Sequence, residues 1–207
     1  MSAGSMLAGR LNVETKEFAL AEVPIPEPGP GFVRVKVGAA GVCLSDVHLI
    51  QGLLRPQFLQ GSDVTLGHEV AGTVDLPGPG VRSAAAGDRV VIQAGYEYQG
   101  STLTMGVDYD GGWAEYVVVP AGVLVPLGDN IPFDQAAIIP DAVSTPWGAI
   151  SSTANVRAGE AVGVWGIGGL GAHGVQLLRL IGAAPIIAVD PIPEARERAL
   201  EFGADYA

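Results

Sequence analysis

The sequence predicts a mixed fold: a β-rich domain of the small, partly closed barrel type, followed by the opening of a parallel α/β sheet. Three observations carry this. Short apolar runs in the first two thirds are punctuated by Gly and Pro at irregular spacing. The composition changes near residue 150. Beyond it the pattern becomes strand, glycine turn, helix, strand, helix, the order of a parallel sheet with crossover helices.

The first strand read from the pattern is Phe32-Val33-Arg34-Val35-Lys36-Val37, where apolar and charged residues alternate as in a half-buried strand. The prolines between Pro24 and Gly31 make the preceding segment an extended loop. Val70 to Val74, Arg89 to Ile92, Ala114 to Val119 and Val123 to Pro126 are further strands. Ala161 to Trp165 is a short apolar run of the buried parallel type. Gly169 to Ile181 follows, with Val175, Leu178 and Ile181 at helical spacing and Gly182 as the stop. Ile186 to Val189 is the second buried strand, and Pro193 and Gly203 bound a second helix. The expected domains are residues 1–150 and 151–207. Two strands fall short of a dinucleotide-binding sheet, which commonly has about six, so the second domain is expected to be incomplete.

Hydrophobic residues make up 48% of the chain and charged residues 16%, a balance that excludes a disordered chain. The formal charge of −11 disfavours nucleic acid and anionic membranes as partners. Cys43 is the single cysteine, so an internal disulfide is excluded. No signal pattern opens the chain, and its longest uncharged stretch, Val162 to Leu178, is too broken by glycine for a membrane span. A cytoplasmic protein is the expectation.

Gly166-Ile167-Gly168-Gly169-Leu170-Gly171 fits the dinucleotide pattern G-x-G-x-x-G between strand and helix. Gly166, Gly168, Gly169 and Gly171 would allow a tight turn and close approach of the backbone to a pyrophosphate at a helix N-terminus. An ordinary strand-to-helix turn would give the same letters. Asp190 favours the ligand reading: it ends the second strand, 19 residues past Gly171, where an acid meets the ribose hydroxyls. Its charge opposes a 2′-phosphate, and neither Pro191 nor Ile192 offsets it, so NAD is expected over NADP.

Cys43 lies in Gly41-Val42-Cys43-Leu44-Ser45-Asp46-Val47-His48, read as a loop, and His68 in Gly67-His68-Glu69-Val70-Ala71-Gly72. A lone cysteine is most often a small buried hydrophobe, and His68 beside Glu69 would also suit an ion-paired turn. These motifs, the proline-rich entry, Gly111-Gly112-Trp113-Ala114-Glu115-Tyr116 and the glycine turn together resemble the zinc-containing medium-chain dehydrogenase/reductase family, over nearly the whole chain from about Leu11.

The resemblance implies a GroES-like β-barrel-type catalytic domain followed by the first part of a Rossmann α/β domain. It implies a zinc-dependent oxidoreductase that transfers a hydride between an alcohol, or its aldehyde or ketone, and NAD. One catalytic zinc per chain would be held by Cys43, His68 and Asp141, the last standing where the family usually has cysteine. Glu69 matches an occasional fourth ligand. Ser45 and His48 match the family's proton relay, Asp46 the acid that orients the histidine ligand, and Thr145 a nicotinamide contact. Leu54 and Trp147 would line the substrate pocket or equally pack in the core, Ala94 stands where the family often has a bulky aromatic, which implies a roomier pocket, and a homo-oligomer is expected of the full-length protein. Many members hold a second, structural zinc on four cysteines between the Arg89 and Gly112 segments. This chain has none there, so Gln93 to Asp110 must keep its shape by other means. Competing readings are a zinc-free reductase of activated double bonds and a non-catalytic fragment.

Overall fold

The computed structural model describes residues 4–207 and contains two compact units, the first ending at Pro140 and the second running Asp141–Ala207. In the first unit, β1 (Ser5–Asn12) and β2 (Glu17–Pro24) form an antiparallel hairpin. Asn12 builds its turn: Oδ1 accepts the N–H groups of Glu14 at 3.1 Å and Thr15 at 3.0 Å. The sequence pattern did not mark these strands. β1 buries Met6, Ala8 and Leu11, none of them β-branched, and β2 is largely exposed.

β3 (Phe32–Ala40) follows the proline-rich loop, as expected. The segment after Cys43, read as a loop, is instead α1 (Leu44–Gln51). Asp46 and Leu49, three residues apart, share its buried face, and Gly52 closes it in the left-handed conformation. Leu49 packs with Leu11, Val64 and Leu66; burying such a side chain contributes about 2–3 kcal/mol.

β4 (Asp63–Thr65) pairs with β1, giving a three-stranded sheet of order β2-β1-β4. The next strands are β5 (Val70–Pro77), β6 (Arg89–Ile92), β7 (Gly95–Tyr98), β8 (Ser101–Thr104), β9 (Tyr116–Pro120) and β10 (Leu124–Pro126). Antiparallel pairing joins five of the strands in the order β10-β6-β5-β3-β9. The order is linear, with β10 and β9 at its ends, so the barrel-type domain is not a closed one, in line with the partly closed barrel expected. Val33, Val35, Val70, Val74, Val90, Ile92, Val117 and Val119 form its core.

The stretch Gln93 to Asp110 answers the question raised by its missing cysteines. β7 and β8 make a hairpin whose two turn residues, Gln99 (φ 51°) and Gly100 (φ 82°), both take positive φ, as a two-residue turn matched to strand twist requires. Asp108, buried, accepts the N–H groups of Gln57 at 3.2 Å, Phe58 at 3.1 Å and Thr104 at 3.0 Å. Tyr109 packs edge-on to Tyr96 with ring centroids 5.6 Å apart, and burial pushes its phenol pKa well up. A carboxylate clamp and an aromatic pair hold this lobe.

The first unit ends after α2 (Phe133–Ala136), and the chain enters a π-helical turn, Ile139–Val143. In the second unit α3 (Ser144–Gly148) precedes another π-helical turn, Ala149–Thr153. Then come β11 (Val162–Trp165), α4 (Gly169–Ile181), β12 (Ile186–Val189) and α5 (Pro193–Glu201), closely as the periodicity predicts. β11 and β12 pair in parallel. Val175 and Leu178 of α4 and Ala195 and Ala199 of α5 share one core with Ile186 and Ala188 of β12. Trp165, Ile187 and Val189 point away from that core and are exposed. Among the described residues no helix is long and apolar enough to cross a membrane.

Replacing Asp108 by Ala leaves three backbone donors without their acceptor and is expected to cost about 3 kcal/mol in denaturant unfolding. Asp205 accepts the Ile186 N–H at 2.7 Å and pairs with Arg179 at 2.7 Å, and both hold its carboxyl pKa below the ordinary 3.8. A depressed carboxyl pKa stabilises the fold above the unfolded value and ceases to do so as pH falls through the folded one. The thermal midpoints of the parent and Asp205→Ala should therefore differ near about pH 7 and converge towards about pH 2.

Candidate functional site

The turn that carries His68 is set by close backbone packing. Gly67 has φ 94°, and a Cβ there would lie 2.3 Å from the Trp113 ring. A Cβ on Gly111 would lie 2.2 Å from the Gly67 carbonyl oxygen, which accepts the Gly112 N–H at 2.9 Å. Glycine is required at both places, one for conformation and one for approach. The Trp113 indole N–H then donates to the Gly41 carbonyl at 2.9 Å, linking this turn to the end of β3. Gly41 is itself overlaid by Glu69, whose Oε2 would be 2.0 Å from a Cβ, and its N–H donates to the Glu69 carbonyl at 2.8 Å.

Cys43 is the residue before α1, and its N–H donates to Asp46 Oδ2 at 2.9 Å. The acid three residues into the helix thus fixes the helix start, as a capping side chain does. The other oxygen, Oδ1, lies 3.5 Å from Nδ1 of His68. Asp46 is fully buried, and His68 and Glu69 are buried as well. A ring whose Nδ1 faces a carboxylate presents Nε2 as the lone-pair donor. Ser45 Oγ lies 3.4 Å from that Nε2. His48, half-buried, follows Ser45 by one helical turn, so the two are neighbours on α1.

Asp141 lies in the π-helical turn directly after Pro140. Its Oδ1 accepts the Thr145 hydroxyl at 2.7 Å. Single π-turns recur where a helix must aim a particular side chain. The donor atoms of Cys43, His68 and Asp141 all lie within 4.8 Å of one another. Such spacing suits three ligands of one ion, which at metal–ligand distances of about 2.0–2.3 Å stand about 3–4 Å apart. Leu54 and Trp147 are exposed, and Ala94 accepts the Met105 N–H through its carbonyl at 2.8 Å.

In the second unit Gly166 turns the chain with φ 87°, and a Cβ on Gly171 would stand 1.9 Å from the Gly166 carbonyl. At Gly166, Gly168 and Gly169 a Cβ would meet nothing within 4 Å, so that side of the turn is open. Gly171 is needed by the fold; Gly168 and Gly169 leave room for a ligand. Gly168 precedes α4, whose first N–H groups point out of the helix start. Asp190 Oδ2 accepts the Ile167 N–H at 2.7 Å and Oδ1 the Ile192 N–H at 2.8 Å; these bonds hold its carboxyl pKa below the ordinary value. The motifs gave no signal for two arginines of α5: Arg196 donates to the Asp190 carbonyl and Arg198 to the Ile167 carbonyl, each at 2.7 Å. Nor did they signal the role of Trp113, which depends on a contact 72 residues away in the chain.

Gly171→Ala is expected to lower the thermal midpoint by several degrees, because its Cβ meets backbone, whereas Gly168→Ala should leave it nearly unchanged. Parallel melting curves of the two variants check this.

Residues 29–129 match the alcohol dehydrogenase GroES-like domain. The NDMA-dependent alcohol dehydrogenase of Amycolatopsis methanolica is 33% identical over 233 residues, covering 97% of this chain and 62% of that protein. The acetophenone reductase of Geotrichum candidum, solved in complex with NAD, superposes with a TM-score of 0.87 at 30% identity, covering 98% of this chain and 62% of that one. The cobalt- and zinc-bound thermostable alcohol dehydrogenase of Pyrobaculum aerophilum superposes with a TM-score of 0.85 at 29% identity, covering 98% and 65%. The chain thus spans about three fifths of the length of the relatives it matches. A GroES-like domain followed by part of a Rossmann-type region, similar to these proteins along nearly its whole length, is what the chain shares with the alcohol dehydrogenases it resembles.

Proposed function

We propose that the protein is a zinc-dependent oxidoreductase that moves a hydride between an alcohol, or its aldehyde or ketone, and NAD. The observation that carries this reading is the convergence of a sulfur, an imidazole nitrogen and a carboxylate oxygen in Cys43, His68 and Asp141. Three protein ligands of these types fit an open catalytic zinc site, and thiolate plus carboxylate balance the charge of a divalent ion. Cys43, His68 and Asp141 would hold it, with Glu69 as a reserve donor. Bound zinc supplies Lewis acidity, which lowers the pKa of a hydroxyl placed at its open position.

The remaining work falls to the chain's own side chains. Asp46 keeps the His68 ring in the tautomer that offers Nε2. Ser45, beside that nitrogen, accepts the substrate hydroxyl proton, and His48, one turn along α1, carries it towards solvent. Thr145 steadies the Asp141 carboxylate and is the proposed nicotinamide contact. The turn of Gly166, Gly168, Gly169 and Gly171 receives the pyrophosphate, and Asp190 the ribose hydroxyls. The Asp190 charge supports NAD over NADP.

Domains of residues 1–150 for catalysis and 151–207 for the cofactor follow from this assignment. The same reading carries a small alcohol or carbonyl substrate, a homo-oligomeric full-length enzyme and a cytoplasmic setting.

Metal analysis of the purified protein should find about one zinc per chain, and Cys43→Ala or Asp141→Ala should lower that content strongly. Ser45→Ala should keep the metal and lose turnover by about 100-fold in an alcohol oxidation assay. Protein that takes up no zinc, or Ser45→Ala with parental turnover, would exclude the corresponding assignment.

A further inference from the structure

The glycine turn has a restraint that its own motif does not provide. Three of its glycines meet nothing where a Cβ would be, so side-chain packing does not fix the peptide planes there. Ile167 is the exception: its side chain is 1% exposed, and both ends of its backbone are bonded to other elements. Its N–H donates to Asp190 Oδ2 at the end of β12, and its C=O accepts from Arg198 of α5, each at 2.7 Å. The residue is held between an anion on one side and a cation on the other. Both are charge-assisted hydrogen bonds, the stronger kind.

We infer that Arg198 is a positioning residue for the dinucleotide, acting through the Ile167 carbonyl to hold the glycine turn in its open form. The inference rests on the reading that this turn binds NAD. A peptide flip at Ile167 would rotate the adjoining Gly168 amide as well, and with it the donors available at the start of α4. Arg198 opposes the flip by binding the carbonyl. It does not need to touch the ligand. Arg196 belongs to the same edge, since it bonds the Asp190 carbonyl and so supports the strand end that carries the acid. Arg198 alone among these groups grips the turn from α5.

The test is NADH affinity, measured by fluorescence titration of the protein and of two variants, with circular dichroism as the check of folding. Arg198→Met keeps much of the apolar stem and removes the donors; its Kd should rise about tenfold, and the KM for NAD should rise with it. At saturating NAD its kcat should stay within about twofold of the parent, because the metal ligands and Ser45 are untouched. Arg198→Lys retains a single charged donor and should recover most of the affinity, with a Kd about threefold above the parent. A residue that served stability alone would lower the melting temperature and leave Kd unchanged. A folded Arg198→Met that binds NADH as tightly as the parent, or a folded Arg198→Lys that recovers none of the lost affinity, overturns the inference and leaves the cofactor assignment standing. A parent protein that binds no dinucleotide overturns both.

Discussion

The approach of two backbones at Gly67 is the constraint on which the candidate metal centre depends. The Trp113 ring occupies the space of a side chain at Gly67, Gly111 lies against its carbonyl, and the indole N–H reaches Gly41. With these contacts His68 is carried on a turn that has one permitted shape. The end of β3, and hence the start of α1, is tied to the same turn. Asp46 then serves two groups with one carboxylate, capping the helix start at Cys43 and facing Nδ1 of His68. Cys43 is placed by the first of these contacts and His68 lies against the second, with Asp46 and His68 both buried.

Asp108 shows the same economy elsewhere in the first unit. Three backbone N–H groups from two segments converge on its carboxylate, and Tyr109 beside it packs on Tyr96. Here one buried acid does the cross-linking, and both of its carboxylate oxygens accept backbone N–H groups. An aromatic pair then covers it.

In the second unit the glycine turn and Asp190 form a different kind of site, with main-chain donors in place of side-chain ligands. The open side of Gly168 and Gly169 admits a ligand, and the bonds to Asp190 and Arg198 keep the peptides from swinging. Asp190 thus holds the turn through its carboxylate, beside the ribose role proposed for it. Its depressed pKa comes from these bonds: the Ile167 and Ile192 N–H groups stabilise the ionised form.

The sequence by itself determined the elements whose signal is local. The strand and helix limits of the second unit follow from apolar periodicity with a terminal glycine or proline, and Phe32 to Val37 from strict alternation. The motifs also named Cys43, His68, Asp141 and the glycine turn as candidates, through family resemblance more than through chemistry visible in the letters. Tertiary structure decided the rest. The helical state of residues 44–51 follows from Leu49 finding a core made by Leu11, Val64 and Leu66, which lie far away in the chain. The openness of the five-stranded sheet is a matter of which edges pair, and period-two patterning is silent on that. The bonds of Trp113, Asp108 and Arg198 join residues 31 to 72 positions apart, or several segments at once. Such bonds exist only after folding has brought their partners together, so no local pattern of residues records them.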